Sequence, residues 1–151
     1  MESKVLKTGS IVMLVMAVYG LILGLMWLFA AKALTTPVFA SFTGQTWSDF
    51  VTANAKAADL QVMSSRLTAA MALSVSILGI FLALTSYRKG EKWSWFAFLV
   101  PGIIVWGSNV AYYIALASLM STVLMLIGLV LLVIGLVIPA KAILGGKAGK
   151  K

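Results

Sequence analysis

Residues 93–140 read WSWFAFLVPGIIVWGSNVAYYIALASLMSTVLMLIGLVLLVIGLVIPA, without one Asp, Glu, Lys or Arg. A helix needs roughly 20 apolar residues to cross the hydrocarbon core of a bilayer, so this run holds enough for two crossings. A soluble amphipathic helix keeps a charged face toward water, and nothing here supplies one. Two spans are therefore expected, at about 93–116 and 120–141, joined by a tight turn near Ala117–Ser121.

Outward from that stretch, residues 8–31 and 67–87 are also free of charge. Each suffices for one crossing, which places two more spans at about 9–31 and 66–87. The expected fold is all-α, a polytopic membrane protein forming a four-transmembrane-helix bundle as one membrane domain over residues 1–151. Composition points the same way. The chain is 62% hydrophobic and only 11% charged, with a mean hydropathy of +1.05; soluble domains carry about a quarter charged residues. Lys4, Lys7, the apolar stretch and Ala31-Lys32-Ala33 mimic a cleavable signal peptide. The stretch exceeds the roughly 7–15 apolar residues of such a peptide, so a retained span is expected.

Orientation follows from the basic residues. Lys4 and Lys7 precede the first span, Arg88, Lys89 and Lys92 separate the second from the third, and Lys141, Lys147, Lys150 and Lys151 follow the fourth. Only Lys32, Lys56 and Arg66, of 12 basic residues in all, fall on the other side. Lys and Arg are retained in the cytoplasm, which predicts a multi-pass protein of the cell membrane with both termini cytoplasmic. The net charge of +8 thus encodes topology. With no interleaved aromatics in a basic patch, no nucleic-acid partner is expected; the partner is the lipid bilayer. The basic tail, 142–151, is placed to touch anionic headgroups.

The outer loop, 34–65, is the one long connection. It opens with Pro37 and passes the turn-like Thr43-Gly44-Gln45. A short amphipathic helix is expected next, with Ser48 as N-cap and Asp49 favoured by the helix dipole. Trp47, Val51, Ala55, Ala58 and Val62 would share its apolar face, and Asp49, Thr52, Lys56 and Asp59 its polar one. Such a helix suits capping the bundle or lying on the membrane surface. In the inner turn, Gly90 fits a left-handed helix end, and Trp93 and Trp95 fit an interfacial belt.

Small residues mark the helix-packing faces: Gly20 and Gly24 in the first span, Gly79 with Ala72, Ser76 and Ala83 in the second, Gly107 with Ala111 and Ala115 in the third, Gly128 and Gly135 in the fourth. Such faces let backbones approach closely, within one bundle or across a homodimer seam. Pro101-Gly102 predicts a kink in the third span.

Chemistry is constrained by what is missing. There is no Cys and no His, and the only acids are Glu2, Asp49, Asp59 and Glu91. The usual ligands of zinc, haem and copper and the usual neutral-pH base are gone, so no cofactor, metal or catalytic residue is expected. No charge lies inside a span, which argues against proton relays, voltage sensing and antiporters of the small multidrug type with their embedded glutamate. Sterol isomerase-like enzymes use embedded acids and histidines, also absent. What remains is a polar set toward the outer half: Trp106, Asn109 and Tyr113 at i, i+3 and i+7, Tyr112 beside them, Ser74 and Tyr19 at similar depth, and Arg66 at the mouth with Asp59 two turns earlier. These residues form either an interhelical polar clamp or a small ligand pocket gated by Arg66.

TGQTWSDF (43–50), Arg66 and YRKGEKWSWFAF (87–98) resemble a group of small uncharacterised prokaryotic membrane proteins that share the four-helix plan of DoxX-like proteins, over roughly residues 10–140. The resemblance implies the four-helix fold. DoxX-like proteins proper are linked with respiratory or sulfur-oxidising complexes, often through cysteines or polar motifs that this chain lacks. The expected function is a non-enzymatic accessory or scaffolding subunit, as a homodimer or in a larger membrane complex, or a binder of an apolar ligand. The alternative is a dimeric transporter or channel-like module for a small neutral or lipophilic solute, resting on the Trp106–Asn109–Tyr113 face and the Pro101 kink.

Overall fold

A computed structural model describes residues 2–145; Lys147, Lys150 and Lys151 of the expected basic tail lie outside the described residues. The described chain is all-α, and four of its helices are long and apolar enough to cross a bilayer. The first is α1 (Glu2–Phe29). The second is α4 (Ala55–Leu82), prolonged by a π-helical turn, Ala83–Tyr87. The third is a composite of α5 (Lys92–Gly102), a π-helical turn (Ile103–Gly107) and α6 (Ser108–Ala115). The fourth is α7 (Leu119–Leu144). Between α1 and α4 lie α2 (Ala31–Thr43) and α3 (Trp47–Ala53).

Small residues decide which helices meet. The α1–α4 contact runs through Gly20, Gly24 and Gly79: an added Cβ would stand 2.8 Å from Ser76 Oγ at Gly20, 2.9 Å from the Leu73 side chain at Gly24, and 3.3 Å from Ala17 Cβ at Gly79. On the other flank of α1, Gly135 of α7 leaves room for Met13, whose Sδ would lie 2.7 Å from a Cβ there, and Gly9 accommodates Pro139. In α7, Gly128 faces Trp106, and a Cβ would overlap the indole ring. Gly107 differs from these six: its nearest neighbour would be Ile103 Cγ2 of its own helix, at 3.9 Å.

Side chains then tie backbone to backbone across helices. Tyr87 OH donates to the Gly135 carbonyl at 2.7 Å, Trp95 Nε1 to Leu136 O at 3.0 Å, Tyr19 OH to Leu124 O at 2.9 Å, and Ser10 Oγ to Ala83 O at 2.6 Å. Tyr87 is fully buried, so its hydroxyl needs such an acceptor.

The connections are short and chemically specified. Gly44 ends α2 at φ 70° and Gly90 turns the chain at φ 74°, both in the left-handed region that suits glycine. Beside Gly90, Trp93 Nε1 donates to Glu91 Oε2 at 2.6 Å. That bond, with help from Ser86 and Lys89, holds the Glu91 carboxyl below the usual range. Between α6 and α7 the left-handed step falls on Ala117, at φ 52°.

Three expectations for the outer loop change. The N-cap of α3 is Thr46, not Ser48: Thr46 Oγ1 accepts from Asp49 N at 3.1 Å and donates to Asp49 Oδ2 at 2.6 Å, a reciprocal pair that Ser48, two residues further on, could not form with Asp49. The single amphipathic helix is divided at Asn54, whose backbone (φ −144°, ψ 61°) leaves the helical region; beyond it, α4 starts at Ala55, well before 66. Pro37 does not open a loop but sits inside α2. Trp47 and Ala58 of the expected apolar face are buried. Phe39, Trp47 and Phe50 pack together with ring centroids 4.6–5.7 Å apart.

The glycine contacts make a prediction for thermal unfolding in detergent. Gly128→Ala should lose about 1–3 kcal/mol by overpacking against a rigid ring. Gly107→Ala, with open space around it, should be neutral or gain up to about 1 kcal/mol from helix propensity.

Candidate functional site: a sideways-opening cleft

The arrangement of helices leaves one angle open. Helix α1 packs on both α4 and α7, while α5 and α6 pack on α7. The second and third long helices meet near the Gly90 turn, where α5 touches the π-helical turn Ala83–Tyr87 and Tyr87 packs edge-on against Phe98 at 5.1 Å. Toward α2 they diverge, and a cleft of about 960 Å³ opens between them, floored by α1. That lies at the upper end of small-molecule sites, roughly 300–1,000 Å³. Among the described residues, no charged one lines it.

Its lining changes with depth because α4 and the third helix run antiparallel. Toward the Gly90 turn the wall is Leu78, Gly79, Leu82, Phe98 and Pro101, with Ser76 at the depth of Trp106 and Ala72 and Val75 beside or above it. Toward α2 it is Gln61, Ser64, Ser65 and Thr68 from α4, Thr35 from α2, and Ser108, Asn109 and Tyr112 from the third helix. Thr35 Oγ1 and Ser65 Oγ share a hydrogen bond at 3.2 Å, which ties α2 to the rim.

Pro101 and Gly102 precede a widened turn rather than a break. The backbone stays right-handed through Gly102, Ile103 and Ser108, and the extra residue of a π-helical turn shifts which side chains face inward. Polar side chains take up carbonyls there: Asn109 Nδ2 donates to Val105 O at 2.8 Å, and the Ser108 hydroxyl bonds to Ile104 O. Trp106 is thereby set between α1 and α7, stacked on Tyr19 with centroids 6.0 Å apart and filling the gap at Gly128.

The structure brings Trp106, Asn109, Tyr112 and Tyr113 to the cleft wall. Tyr19 is not a lining residue; it backs Trp106 and bonds to α7. Ser74 is exposed and bonds to Ala70 O of its own helix, and Arg66 is exposed on α4 without lining the cleft. The hydrogen bond of Asn109 lies within its own helix, so the side chains clamping helix to helix are Tyr19, Tyr87, Trp95 and Ser10 instead. The polar rim of α4 was not foreseen, although Gln61, Ser64, Ser65 and Thr68 fall at i, i+3, i+4 and i+7, a one-faced spacing visible in the sequence.

Among the buried wall residues, Ser76, Trp106 and Tyr113 have side-chain polar groups without a hydrogen-bond partner among the described residues. Trp106 and Tyr113 are each only 7% exposed. The indole N–H and the phenol hydroxyl have no hydrogen-bond partner among the described residues, yet neither is sealed off, unlike the Trp47 N–H, which is buried and unpaired.

Since Trp106 is what makes Gly128 obligatory, the two should couple in a double-mutant cycle. Gly128→Ala in a Trp106→Leu background should cost about 1–3 kcal/mol less than in the wild type, read from unfolding midpoints. Comparison of the chain with known protein families, with curated proteins and with solved structures finds no match in any of the three.

Proposed function

We propose that this chain is a multi-pass protein of the cell membrane, with both termini cytoplasmic, that holds an apolar ligand between its second and third long helices without transforming it. One observation carries the proposal: a charge-free cleft of about 960 Å³ that opens sideways, between helices whose outer faces are themselves apolar. Open space of that size forfeits dispersion contacts along its whole lining, and an apolar occupant restores them. A bundle whose only task was to scaffold a partner would gain by closing it. An accessory-subunit role, which the small-residue helix faces and the lack of catalytic residue types support, is compatible with a bound ligand and would place it at a partner's edge.

The absence of cysteine makes the orientation directly testable. In intact cells, Asp59→Cys should react with a membrane-impermeant maleimide, and Lys89→Cys only after permeabilisation. The inverse pattern would reverse the orientation, and equal labelling of both in intact cells would argue against crossings between them.

Ligand binding predicts extra mass on the protein purified in mild detergent and examined by native mass spectrometry. Ala72→Trp, which puts bulk into the cleft, should remove that mass at an unchanged oligomeric state. A wild-type protein with no added mass would count against the proposal.

A transporter or channel-like module working as a dimer is the second reading, favoured by the π-helical turn at the level of the cleft, since such turns are frequent at functional sites. Solute flux through liposomes that Asn109→Leu leaves intact would detach any transport from this wall.

A further inference from the structure

Resting on the proposal that the cleft holds an apolar ligand, we infer the ligand's class: an uncharged lipid whose carbonyl and hydroxyl groups meet Trp106 and Tyr113, its chain directed toward the Gly90 turn. Three features lead there. The first is the lining without charge. A phosphate or ammonium drawn inside would meet no opposite charge, and burying an unpaired ion is the costliest polar burial.

The second is the set of buried, unpaired polar groups on the wall, Trp106 and Tyr113 with Ser76 beside them. The Trp106 N–H is a donor only, and the Tyr113 hydroxyl donates and accepts. Asn109, between them in sequence, spends its amide nitrogen on Val105 O and keeps its side-chain oxygen as an acceptor. Trp106 and Tyr113 are more than nine-tenths buried, and both line the cleft. Buried polar groups are normally paired, so the wall, which also holds the unpaired Ser76 hydroxyl, presents an unmet demand for neutral hydrogen-bonding groups. A plain hydrocarbon leaves that demand unmet, which is how a hydrogen-bonding site rejects an analogue lacking the group.

The third is the gradient along the cleft. Below Trp106 the wall is apolar through Leu78, Leu82 and Phe98, and the contact of Tyr87 with Phe98 closes that end. Above it stand Gln61, Ser64 and Thr68. An amphiphile matches both zones in one orientation only, with the polar group toward α2.

Photo-crosslinking of the full chain in nanodiscs tests this with three probes of equal alkyl chain and a diazirine at the chain's far end: a monoacylglycerol, a lysophosphatidylglycerol and an alkane. The monoacylglycerol should label residues 78–82 and 97–102, about five-fold above the alkane, the factor for one neutral hydrogen bond. Tyr113→Phe, which keeps the ring, should lower that labelling by a similar factor, and Asn109→Leu gives an independent check if the first variant folds poorly. Ala72→Trp should abolish it. Equal labelling of the cleft by all three probes, unmoved by Tyr113→Phe, overturns the class and leaves the cleft as an apolar site. Preference for the lysophosphatidylglycerol overturns it in favour of an anionic lipid. Labelling elsewhere, or unchanged by Ala72→Trp, overturns the binding proposal as well.

Discussion

The two-sided packing of α1 is the contact on which the remaining architecture depends. On one flank, Gly20, Gly24 and Ala17 bring it against α4; on the other, Met13 fills the space left by Gly135 of α7. Apolar helices gain little from burying apolar surface when their surroundings are equally apolar, so close approach and dispersion must hold them. One helix gripping two neighbours fixes the angle between those two. The third long helix packs on α7 and only grazes α4 near the Gly90 turn. The cleft is thus a consequence of how the packing faces are distributed, not of a local irregularity.

Polar groups reinforce this with a consistent device. Tyr87, Trp95, Tyr19 and Ser10 each donate to a backbone carbonyl on another helix. A carbonyl within a helix has a spare lone pair, so such bonds add to the ladder without breaking it. Asn109 and Ser108 do the opposite, bonding within their own helix where the π-helical turn disturbs the ladder. The same turn sets Trp106 into the gap at Gly128, so the most irregular part of the third helix is also the part most firmly wedged.

The sequence made the apolar runs and the chain reversals legible because both are local. A run without charge needs no tertiary information, and the turns at Gly44 and Gly90 follow from backbone preference. The left-handed step at Ala117 runs against alanine's preference, and only the length of the charge-free run marked a reversal there. The outer loop was legible in composition but not in boundaries: Thr46 and Ser48 are both competent caps, and only the reciprocal bond with Asp49 separates them. Asn54, a moderate helix breaker, became decisive because the chain must change direction there. In the site, the face of Trp106, Asn109 and Tyr113 could be read from spacing. Whether α4 stood against that face or away from it could not, since this depends on three other helix contacts. Arg66 illustrates the limit: its position beside Ser65 placed it at the right depth, and one further residue of helical rotation turned it away from the cleft.

That the cleft lies between two helices, open on the side away from α1, bears on how it would be supplied. In a bilayer, an occupant would arrive by lateral diffusion within the leaflet and would never need to dissolve in water. Occupancy would then follow the occupant's mole fraction among the surrounding lipids, and its aqueous concentration would be almost irrelevant. Every neighbouring acyl chain would be a competitor present in vast excess, so selectivity would fall to the few groups that a hydrocarbon cannot satisfy, the free N–H of Trp106 and the hydroxyl of Tyr113.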